Sequence, residues 1–392
     1  MKKKIAIINQ RYGKEVNGGS EVYTRLLAEH LSEHYDIEIL TTTALNYDTW
    51  ENYYPEGITI ENGISVRRFR VNKIRRMKYF RIVNKLIRML PYKVKVLEQW
   101  WAKEQGPFCP DFLSYLELHQ KDYDIFIFVT YLYYLTLKGL PKVAERSILI
   151  PTAHDEPFLY FKIYTPIFKN VKAMIFLTEE EKGLIHRTFH NQEIKHEVIG
   201  IGVDSPDKIE KKKFLDKYGL EEFSYILYVG RVDVGKNCDE MFEYFFRYKE
   251  ETKSDLKLVI MGKAQMEMPE DKEIHYLGFV SEEEKYAGIK GAKLLLLPSA
   301  YESLSIAVLE AMSLGTPVLV NGNCEVLKGH CEKSKGGFYY TDYKTFKTQL
   351  QKISLNDKKR DLLSENGKRY IKENYTWGSA IKKYRNLIEE VS

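Results

Sequence analysis

Cysteine is scarce in this chain of 392 residues, which has four, Cys109, Cys238, Cys324 and Cys331. They form neither a C-x-x-C pair nor a dense disulfide framework, so we expect reduced thiols in a cytosolic protein. Cys324 and Cys331 lie near His330, but the paired spacing of a metal site is missing. The sequence therefore predicts no metal site.

Long hydrophobic runs are also missing. The opening, MKKKIAIINQ, has an apolar run of only four residues, which is too short for a secretory signal. The longest candidate for a membrane span, residues 125–137, contains several tyrosines and falls short of the about 18 residues that a span requires. We therefore expect a soluble, cytoplasmic protein.

Apolar runs that are typical of β-strands alternate with helical stretches along the chain in two series. The first series comprises residues 5–8, 37–40, 125–129, 147–150 and 173–177, and the second comprises 225–229, 256–261, 293–297 and 318–320. This alternation predicts two doubly wound α/β domains, which the length allows. Proline and charge together in residues 204–213 indicate the boundary.

A pair of carboxylates, Glu302 and Glu310, stands eight positions apart after the predicted strand 293–297. A helix is expected to begin near residues 303–305, and its free N–H groups would favour phosphate. Helical rise would separate the carboxylates by about 12 Å, roughly the length of a nucleotide diphosphate sugar. One glutamate could accept hydrogen bonds from sugar hydroxyls and the other from ribose hydroxyls. The alternative is two glutamates on a solvated helix face.

A second polar segment follows the predicted strand 225–229. It carries Gly230, Arg231 and Lys236 in a glycine-flanked turn. The forked guanidinium and the ammonium could clamp a diphosphate and stabilise the charge that grows as it leaves. The alternative is a surface turn with both cations in solvent.

Together these two elements resemble the retaining glycosyltransferases of family 4, the glycosyl transferases of group 1. Four further segments are similar to the family, and one segment departs from its common pattern. These are the glycine loop Gly18-Gly19-Ser20-Glu21, His154 within residues 151–157 (PTAHDEP), residues 200–204 (GIGVD), Tyr375-Thr376-Trp377, and Ser-Leu-Ser at 303–305 where many members have a Phe-Gly pair.

The resemblance implies an α/β protein of the GT-B fold. In that fold two Rossmann-like doubly wound domains face a cleft, and the C-terminal helix returns to the first domain. We expect residues 1–207, with the helix 375–392, to form the acceptor-binding domain. Residues 208–374 would form the nucleotide-sugar-binding domain.

The activity that the resemblance implies is retaining transfer of a sugar from a nucleotide diphosphate sugar, with UDP favoured, to a glycan or lipid-linked acceptor in cell-surface polysaccharide assembly. The acceptor hydroxyl would attack from the side that the phosphate leaves, and the departing phosphate oxygen would take its proton. The catalytic residues would be Arg231, Lys236, Glu302 and His154. The substrate-binding residues would be Gly18, Gly19, Asp155, Gly230, Ser303, Leu304, Ser305 and Glu310.

Metal independence is expected, because no Asp-x-Asp motif follows a predicted strand and Arg231 with Lys236 can neutralise the diphosphate. No cofactor is expected. Within the first domain, residues 105–116 are our choice for contacting the acceptor. Tyr131, Tyr133 and Tyr134 could stack on sugar faces or form the edge of the core.

Positive charge is concentrated in one segment. Residues 67–103 hold 13 of the 60 lysines and arginines but one of the 55 acidic residues, so the rest of the chain is slightly acidic. Lys78, Arg81, Lys85 and Arg88 recur at helical spacing, with Phe80, Val83, Ile87 and Leu90 on another side. An anionic membrane surface is one candidate partner, with the protein peripheral on the inner face of the membrane. The alternative is an apolar face packed on the domain and solvated charges. Nucleic acid is not expected, because no binding motif accompanies the charge.

Two other classes of function stay open from the residues. A GT-B epimerase or phosphorylase uses similar ligands, and a non-catalytic sugar-nucleotide-binding protein would need a similar pocket. A dinucleotide-dependent dehydrogenase is disfavoured, because neither domain has the G-x-G-x-x-G spacing after its first strand.

Overall fold

The computed structural model describes residues 2–16, 18–89, 95–206 and 208–392. The chain forms two compact units. One comprises Met1–Ile201 with Ala380–Ser392, and the other comprises Gly202–Ser379. The chain therefore passes between the units twice.

The first unit is built on an eight-stranded sheet with helices between its strands. Its strands are β1 (Lys4–Ile8), β2 (Asp36–Thr42), β3 (Gly57–Glu61), β4 (Ile64–Phe69), β5 (Ile125–Val129), β6 (Ser147–Ile150), β7 (Ala173–Phe176) and β8 (Lys195–Val198). Its helices are α1 (Gly19–Ser32), α2 (Met77–Met89), α3 (Lys95–Gln105), α4 (Pro110–His119), α5 (Tyr134–Gly139), α6 (Thr165–Lys169) and α7 (Glu179–Phe189). The strand order is β3-β4-β2-β1-β5-β6-β7-β8, and all pairs are parallel except β3 with β4.

The second unit has a six-stranded, fully parallel sheet in the order β11-β10-β9-β12-β13-β14. Its strands are β9 (Tyr225–Val229), β10 (Lys257–Met261), β11 (Ile274–Gly278), β12 (Leu294–Leu297), β13 (Val318–Asn321) and β14 (Gly337–Tyr340). Its helices are α8 (Lys211–Tyr218), α9 (Cys238–Thr252), α10 (Glu282–Gly291), α11 (Ile306–Ser313), α12 (Glu325–Ser334), α13 (Tyr343–Ser354) and α14 (Asp357–Asn374). The predicted pair of doubly wound α/β domains is confirmed.

The basic segment is not one helix. Arg67 and Arg68 lie in strand β4, and Arg68 is buried, with its guanidinium donating to the Tyr12 carbonyl at 3.0 Å and paired with Glu61. Helix α2 follows only after residue 76. Part of the positive charge of this segment therefore lies in a strand next to the edge of the first sheet.

Helix α2 has one buried face and one exposed face. Phe80, Val83 and Ile87 are buried in the core of the first unit, so the packing alternative is correct for these three side chains. Leu90 and the side chain of Arg88 lie outside the described residues. A second row along the helix is exposed and apolar: Tyr79, Ile82, Leu86 and Met89. Exposed Lys78, Arg81 and Lys85 accompany this row.

The last helix, α15 (Trp377–Val391), returns to the first unit from Ala380 onward. Tyr384, Leu387 and Ile388 are buried there, and the Tyr384 hydroxyl shares a hydrogen bond with the buried hydroxyl of Tyr23 on α1. The contact joins residues 361 positions apart. It therefore fixes the returning helix to the start of the chain.

We expect Tyr384→Phe to lower the free energy of unfolding by about 1–3 kcal/mol, because it leaves the Tyr23 hydroxyl buried without this partner. The double variant Tyr23→Phe/Tyr384→Phe removes both polar groups and should be less destabilised than the sum of the single variants. Chemical denaturation measures all three. Additive losses would contradict a coupled pair.

Candidate functional site

The centre of the second sheet provides a crevice at the carboxyl ends of its strands. Strands β9 and β12 pair side by side, but β9 continues through α9 to β10 whereas β12 continues through α11 to β13, on the other side. The segments that follow the two strands therefore diverge, and such switch points are where parallel sheets bind ligands. The predicted residues of this unit lie on those two segments.

The turn after β9 depends on a close approach between neighbouring strands. A Cβ atom on Gly262, just after β10, would overlap the carbonyl oxygen of Gly230, so a side chain there would displace the turn. Gly230 itself has φ +156°. Sequence reasoning missed Gly262, and its signal was a glycine directly after the predicted strand 256–261.

The two cations after β9 are held by carboxylates. Residues 234–236 form a short 3-10 turn whose start is capped by Asp233, which accepts a hydrogen bond from the Lys236 N–H at 2.9 Å. Arg231 Nη1 lies 3.5 Å from Asp233 Oδ2. Lys236 Nζ lies 2.6 Å from Glu302 Oε1, with 25% and 16% of the two side chains exposed. Asp233, which sequence reasoning missed, thus contacts both Arg231 and Lys236, and Lys236 also contacts Glu302.

The segment from Glu302 to Ser305 is a loop, and α11 begins only at Ile306. Helical rise therefore does not apply to the first four of the eight residues that separate the two glutamates, so it does not fix the distance between them. Leu304 is buried, and its carbonyl accepts a hydrogen bond from His330 Nε2 at 2.8 Å. His330, on α12, thus holds the loop through its backbone.

Ser305, immediately before α11, has a left-handed backbone with φ +68° and makes no side-chain cap of the helix. Non-glycine residues pay a steric cost in this region. Glycine adopts this conformation freely, so Ser305 is a position where glycine would relieve strain.

Glu310 lies on α11 and is almost fully buried. Its Oε1 accepts a hydrogen bond from Lys285 Nζ at 2.7 Å and lies 3.3 Å from the Tyr286 hydroxyl. Burial opposes the charge of Lys285, but the carboxylates of Glu310 and Glu282 outweigh it and hold the pKa of Lys285 above its ordinary value. Lys285 was missed because it stands in the charged run EEEK, which is typical of a solvated helix.

In the first unit, His154 follows β6. Its Nδ1 lies 3.5 Å from Glu156 Oε1, which also accepts a hydrogen bond from the Tyr131 hydroxyl at 2.8 Å. Asp155 accepts from the Tyr160 hydroxyl at 2.6 Å. The three residues 154–156 thus form one polar turn after the strand.

The tyrosines after β5 belong to the protein interior. Tyr131 and Tyr134 are buried, and Tyr133 packs edge-on against the buried Trp50. The core-edge alternative is therefore correct for Tyr131 and Tyr134.

The turn that carries His154 is anchored by Glu181, which sequence reasoning missed. This carboxylate accepts hydrogen bonds from the backbone N–H groups of Ala153 and Leu177, each at 2.6 Å. Burial raises the pKa of Glu181 to about 8, against the effect of these two donors. The signal was the capping pattern from Thr178 to Glu181, in which the Thr178 hydroxyl accepts from the Glu181 N–H.

The predicted glycine loop is mostly the first turn of α1, since Gly18 precedes the helix and Gly19 is its first residue, and it packs on a buried ion pair. Glu21 accepts from Gln10 Nε2 and Arg11 Nε, both at 2.9 Å, and a Cβ atom on Gly18 would overlap the Glu21 carboxylate. A Cβ atom on Gly19 would meet no atom within 4 Å. Packing inside the unit therefore accounts for Gly18 but not for Gly19.

Three findings concern the described part of the chain as a whole. No cluster of three or more His, Cys, Asp or Glu side chains there is arranged to hold a metal ion. None of its helices is both long and apolar enough to cross a bilayer. All four cysteines are buried and free.

Comparison with known proteins gives concordant results. Residues 192–370 match the family model described as glycosyl transferases group 1. The uncharacterized glycosyltransferase MJ1607 of Methanocaldococcus jannaschii is 24% identical, over 98% of this chain and 97% of its own length. Sucrose-phosphate synthase from Thermosynechococcus elongatus superimposes with a TM-score of 0.73 at 16% identity, over 99% of each chain. Anabaena Alr3699/HepE, solved in complex with UDP and glucose, does so with a TM-score of 0.70 at 13% identity, over 99% of this chain and 100% of that one. The predicted GT-B fold is confirmed.

We expect Ser305→Gly to stabilise the protein by about 0.5–1 kcal/mol. Relief of the left-handed backbone contributes roughly 1–2 kcal/mol, and the greater freedom of glycine in the unfolded chain takes back roughly 0.4–1 kcal/mol. Ser305→Ala is the control, since it removes the hydroxyl and keeps the steric cost. Thermal unfolding of the three proteins is the measurement, and a lower midpoint for the glycine variant would contradict the assignment.

Proposed function

Since this chain is a glycosyltransferase that belongs to the glycosyl transferases group 1, with a GT-B fold, we propose that it works with retention of configuration. The donor is a nucleotide diphosphate sugar, with UDP as the favoured nucleotide. The acceptor is a glycan or a lipid-linked glycan in cell-surface polysaccharide assembly. The complex of the Anabaena structure with UDP and glucose supports the choice of nucleotide.

The observation that carries the proposal is the grouping of Arg231, Lys236 and Glu302 at the ends of two adjacent parallel strands. The two cations provide the positive charge that a departing diphosphate needs, and both are part-exposed, so an anion can reach them. Lys236 is paired with Glu302, and this pair is part-exposed. A phosphate of the donor can therefore replace Glu302 as the partner of the Lys236 ammonium. Glu302 is then available to accept hydrogen bonds from sugar hydroxyls.

The remaining roles follow the resemblance. Glu310 accepts hydrogen bonds from the ribose, and the backbone of residues 303–305 with Gly230 lines the phosphate end. In the first unit, His154 and Asp155 hydrogen-bond the donor sugar, and the turn Gly18–Gly19 allows close approach of the phosphate to the backbone. The acceptor hydroxyl attacks from the side that the phosphate leaves, and the leaving oxygen takes the proton. Arg231 and Lys236 supply the neutralising charge, so we propose that no metal ion is required.

For the acceptor side, we propose that the protein is cytoplasmic and binds an anionic membrane surface peripherally through α2. The exposed row of Tyr79, Ile82, Leu86 and Met89 can enter the interface between headgroups and acyl chains. The flanking cations Lys78, Arg81 and Lys85 can contact anionic headgroups. Such a position would give the enzyme access to a lipid-linked acceptor.

A GT-B epimerase or phosphorylase, or a non-catalytic sugar-nucleotide-binding protein, is distinguished by its products. An epimerase would convert the sugar nucleotide without releasing UDP, and a phosphorylase would require inorganic phosphate. A binding protein would release nothing. Acceptor-dependent release of UDP supports transfer.

We expect Arg231→Ala and Lys236→Ala each to lower turnover by about 100- to 1000-fold, because each removes a preorganised donor to leaving-group charge. The rate of UDP release from the best donor in a panel of UDP-sugars measures this. Lys347→Ala, which breaks the exposed pair between Lys347 and Glu251 in the same unit, is the matched control. If both site variants fold and show near-normal turnover, the diphosphate does not bind at this position.

We expect the triple variant Lys78→Gln/Arg81→Gln/Lys85→Gln to lose binding to vesicles that contain phosphatidylserine. Each cation contributes about 1 kcal/mol at such a surface, so partitioning should fall roughly 100-fold at low salt. Co-sedimentation at two salt concentrations measures it, since the attraction is screened over about 8 Å at physiological ionic strength.

The matched control carries the same change of charge elsewhere, at exposed Lys358, Lys372 and Lys382. It should bind vesicles as the unmodified protein does. If the unmodified protein ignores anionic vesicles even at low salt, the α2 surface is a solvated face and the membrane proposal is wrong.

A further inference from the structure

The buried carboxylate of Glu310 is held unequally at its two oxygens. Oε1 accepts hydrogen bonds from two donors, Lys285 Nζ at 2.7 Å and the Tyr286 hydroxyl at 3.3 Å. Among the described residues, no group donates a hydrogen bond to Oε2. One oxygen is therefore fixed to the protein, and the other is left to accept from a ligand.

Both donors come from the first turn and a half of α10, which packs beside α11. Lys285 is itself mostly buried, with 15% of its side chain exposed, and it also lies 2.8 Å from Glu282 Oε2. Glu282 is much more exposed, at 69% of its side chain. The buried partner of the lysine is therefore Glu310, and Glu282 is a solvent-facing second partner.

A buried carboxylate without a countercharge tends to take up a proton. A protonated carboxyl group is a weaker acceptor of hydroxyl hydrogen bonds than a carboxylate, because charge-assisted hydrogen bonds are the stronger ones. A carboxylate without a fixed partner can also rotate, and both of its oxygens are then equally placed. Lys285 opposes both changes, through its charge and through its contact with one oxygen.

We propose that Lys285 is a positioning residue for nucleotide recognition, which keeps Glu310 ionised and turned so that Oε2 faces the vicinal hydroxyls of the ribose. The inference rests on the proposed function, because it takes Glu310 as the ribose acceptor. It adds a specificity for ribonucleotides over deoxyribonucleotides and assigns that specificity to a residue that does not itself contact the ribose.

The test compares the dissociation constants of UDP, 2′-deoxy-UDP and 3′-deoxy-UDP by calorimetry. The unmodified protein should bind UDP about 10- to 100-fold more tightly than at least one deoxy analogue, as expected for a hydrogen bond to a charged group. In Lys285→Met, and in Glu310→Gln, this ratio should fall to about a few-fold or less. Lys285→Arg keeps the charge and should retain most of the ratio.

Glu282→Gln is the matched control, because it removes the exposed partner of Lys285 and leaves the contact with Glu310. It should keep the full ratio. Unfolding midpoints of all variants separate a loss of fold from a loss of recognition. If the methionine variant does not fold, Lys285→Gln removes the charge with a polar side chain and should show the same fall in the ratio.

Three results would contradict the role of Lys285, the role of Glu310 or the choice of nucleotide, respectively. If Lys285→Met weakens UDP and both analogues equally, Lys285 is a structural residue and the inference is wrong. If the unmodified protein binds UDP without discriminating against either analogue, Glu310 is not the ribose acceptor, although the proposed transferase function stands. If the unmodified protein does not bind UDP, the nucleotide proposal fails and the inference fails with it.

Discussion

Strands β9 and β12 run parallel and pair through Ile226 with Leu294 and Leu227 with Leu295, and the chain leaves them toward opposite edges of the sheet. Parallel strands end at the same edge, so the residues that follow them must share a small region even though they are about 70 positions apart in sequence. Lys236 and Glu302 meet for this reason. The close approach of Gly262 to the Gly230 carbonyl leaves no room for a side chain at position 262.

The two Lys–Glu pairs of the site differ in how deeply they are buried. The pair of Lys236 with Glu302 is part-exposed, so under the proposed function a phosphate that replaced the carboxylate would leave both charges with access to solvent or ligand. The pair of Lys285 with Glu310 is deeper, and separating it would leave a buried charge without a partner, which costs several kcal/mol. One pair is therefore suited to exchange with the ligand, and the other is suited to remain in place while the ligand comes and goes.

Sequence patterns predicted the central strands of both sheets because these are short, almost wholly apolar runs such as Ile125–Val129 and Leu294–Leu297. The strands at and near the edges, β3, β4, β8, β11 and β14, were missed because none is a wholly aliphatic run: charged residues interrupt β3, β4 and β8, and histidine, tyrosine or glycine interrupts β11 and β14. Arg67 and Arg68 in β4 were assigned to a basic segment for the same reason. A strand that is half in contact with solvent has a weaker signal than one buried on both faces.

Motifs along the chain located the residues that follow β9 and β12, but not the groups that hold those residues. Asp233, His330 and Lys285 act through contacts between segments that lie apart in sequence or through local caps, and their residue types are common on surfaces. Helix α11 was predicted to begin near residues 303–305, one to three residues before its start at Ile306, because Leu304 continues the apolar pattern of the helix. Burial and partner identity decide these roles, and neither is visible from spacing alone.

The return of α15 to the first unit has a consequence for the order of events during synthesis. The second unit, Gly202–Ser379, is continuous in sequence, whereas the first contains residues 380–392, which leave the ribosome after the whole second unit. Domains usually fold in the order in which they emerge. Here the unit whose sheet is made first is completed last, and until then the face of α1 that carries Tyr23 is without the helix that covers it. A nascent chain stopped before residue 380 would therefore expose an unfinished N-terminal core to chaperones and proteases, while the downstream unit could already be folded.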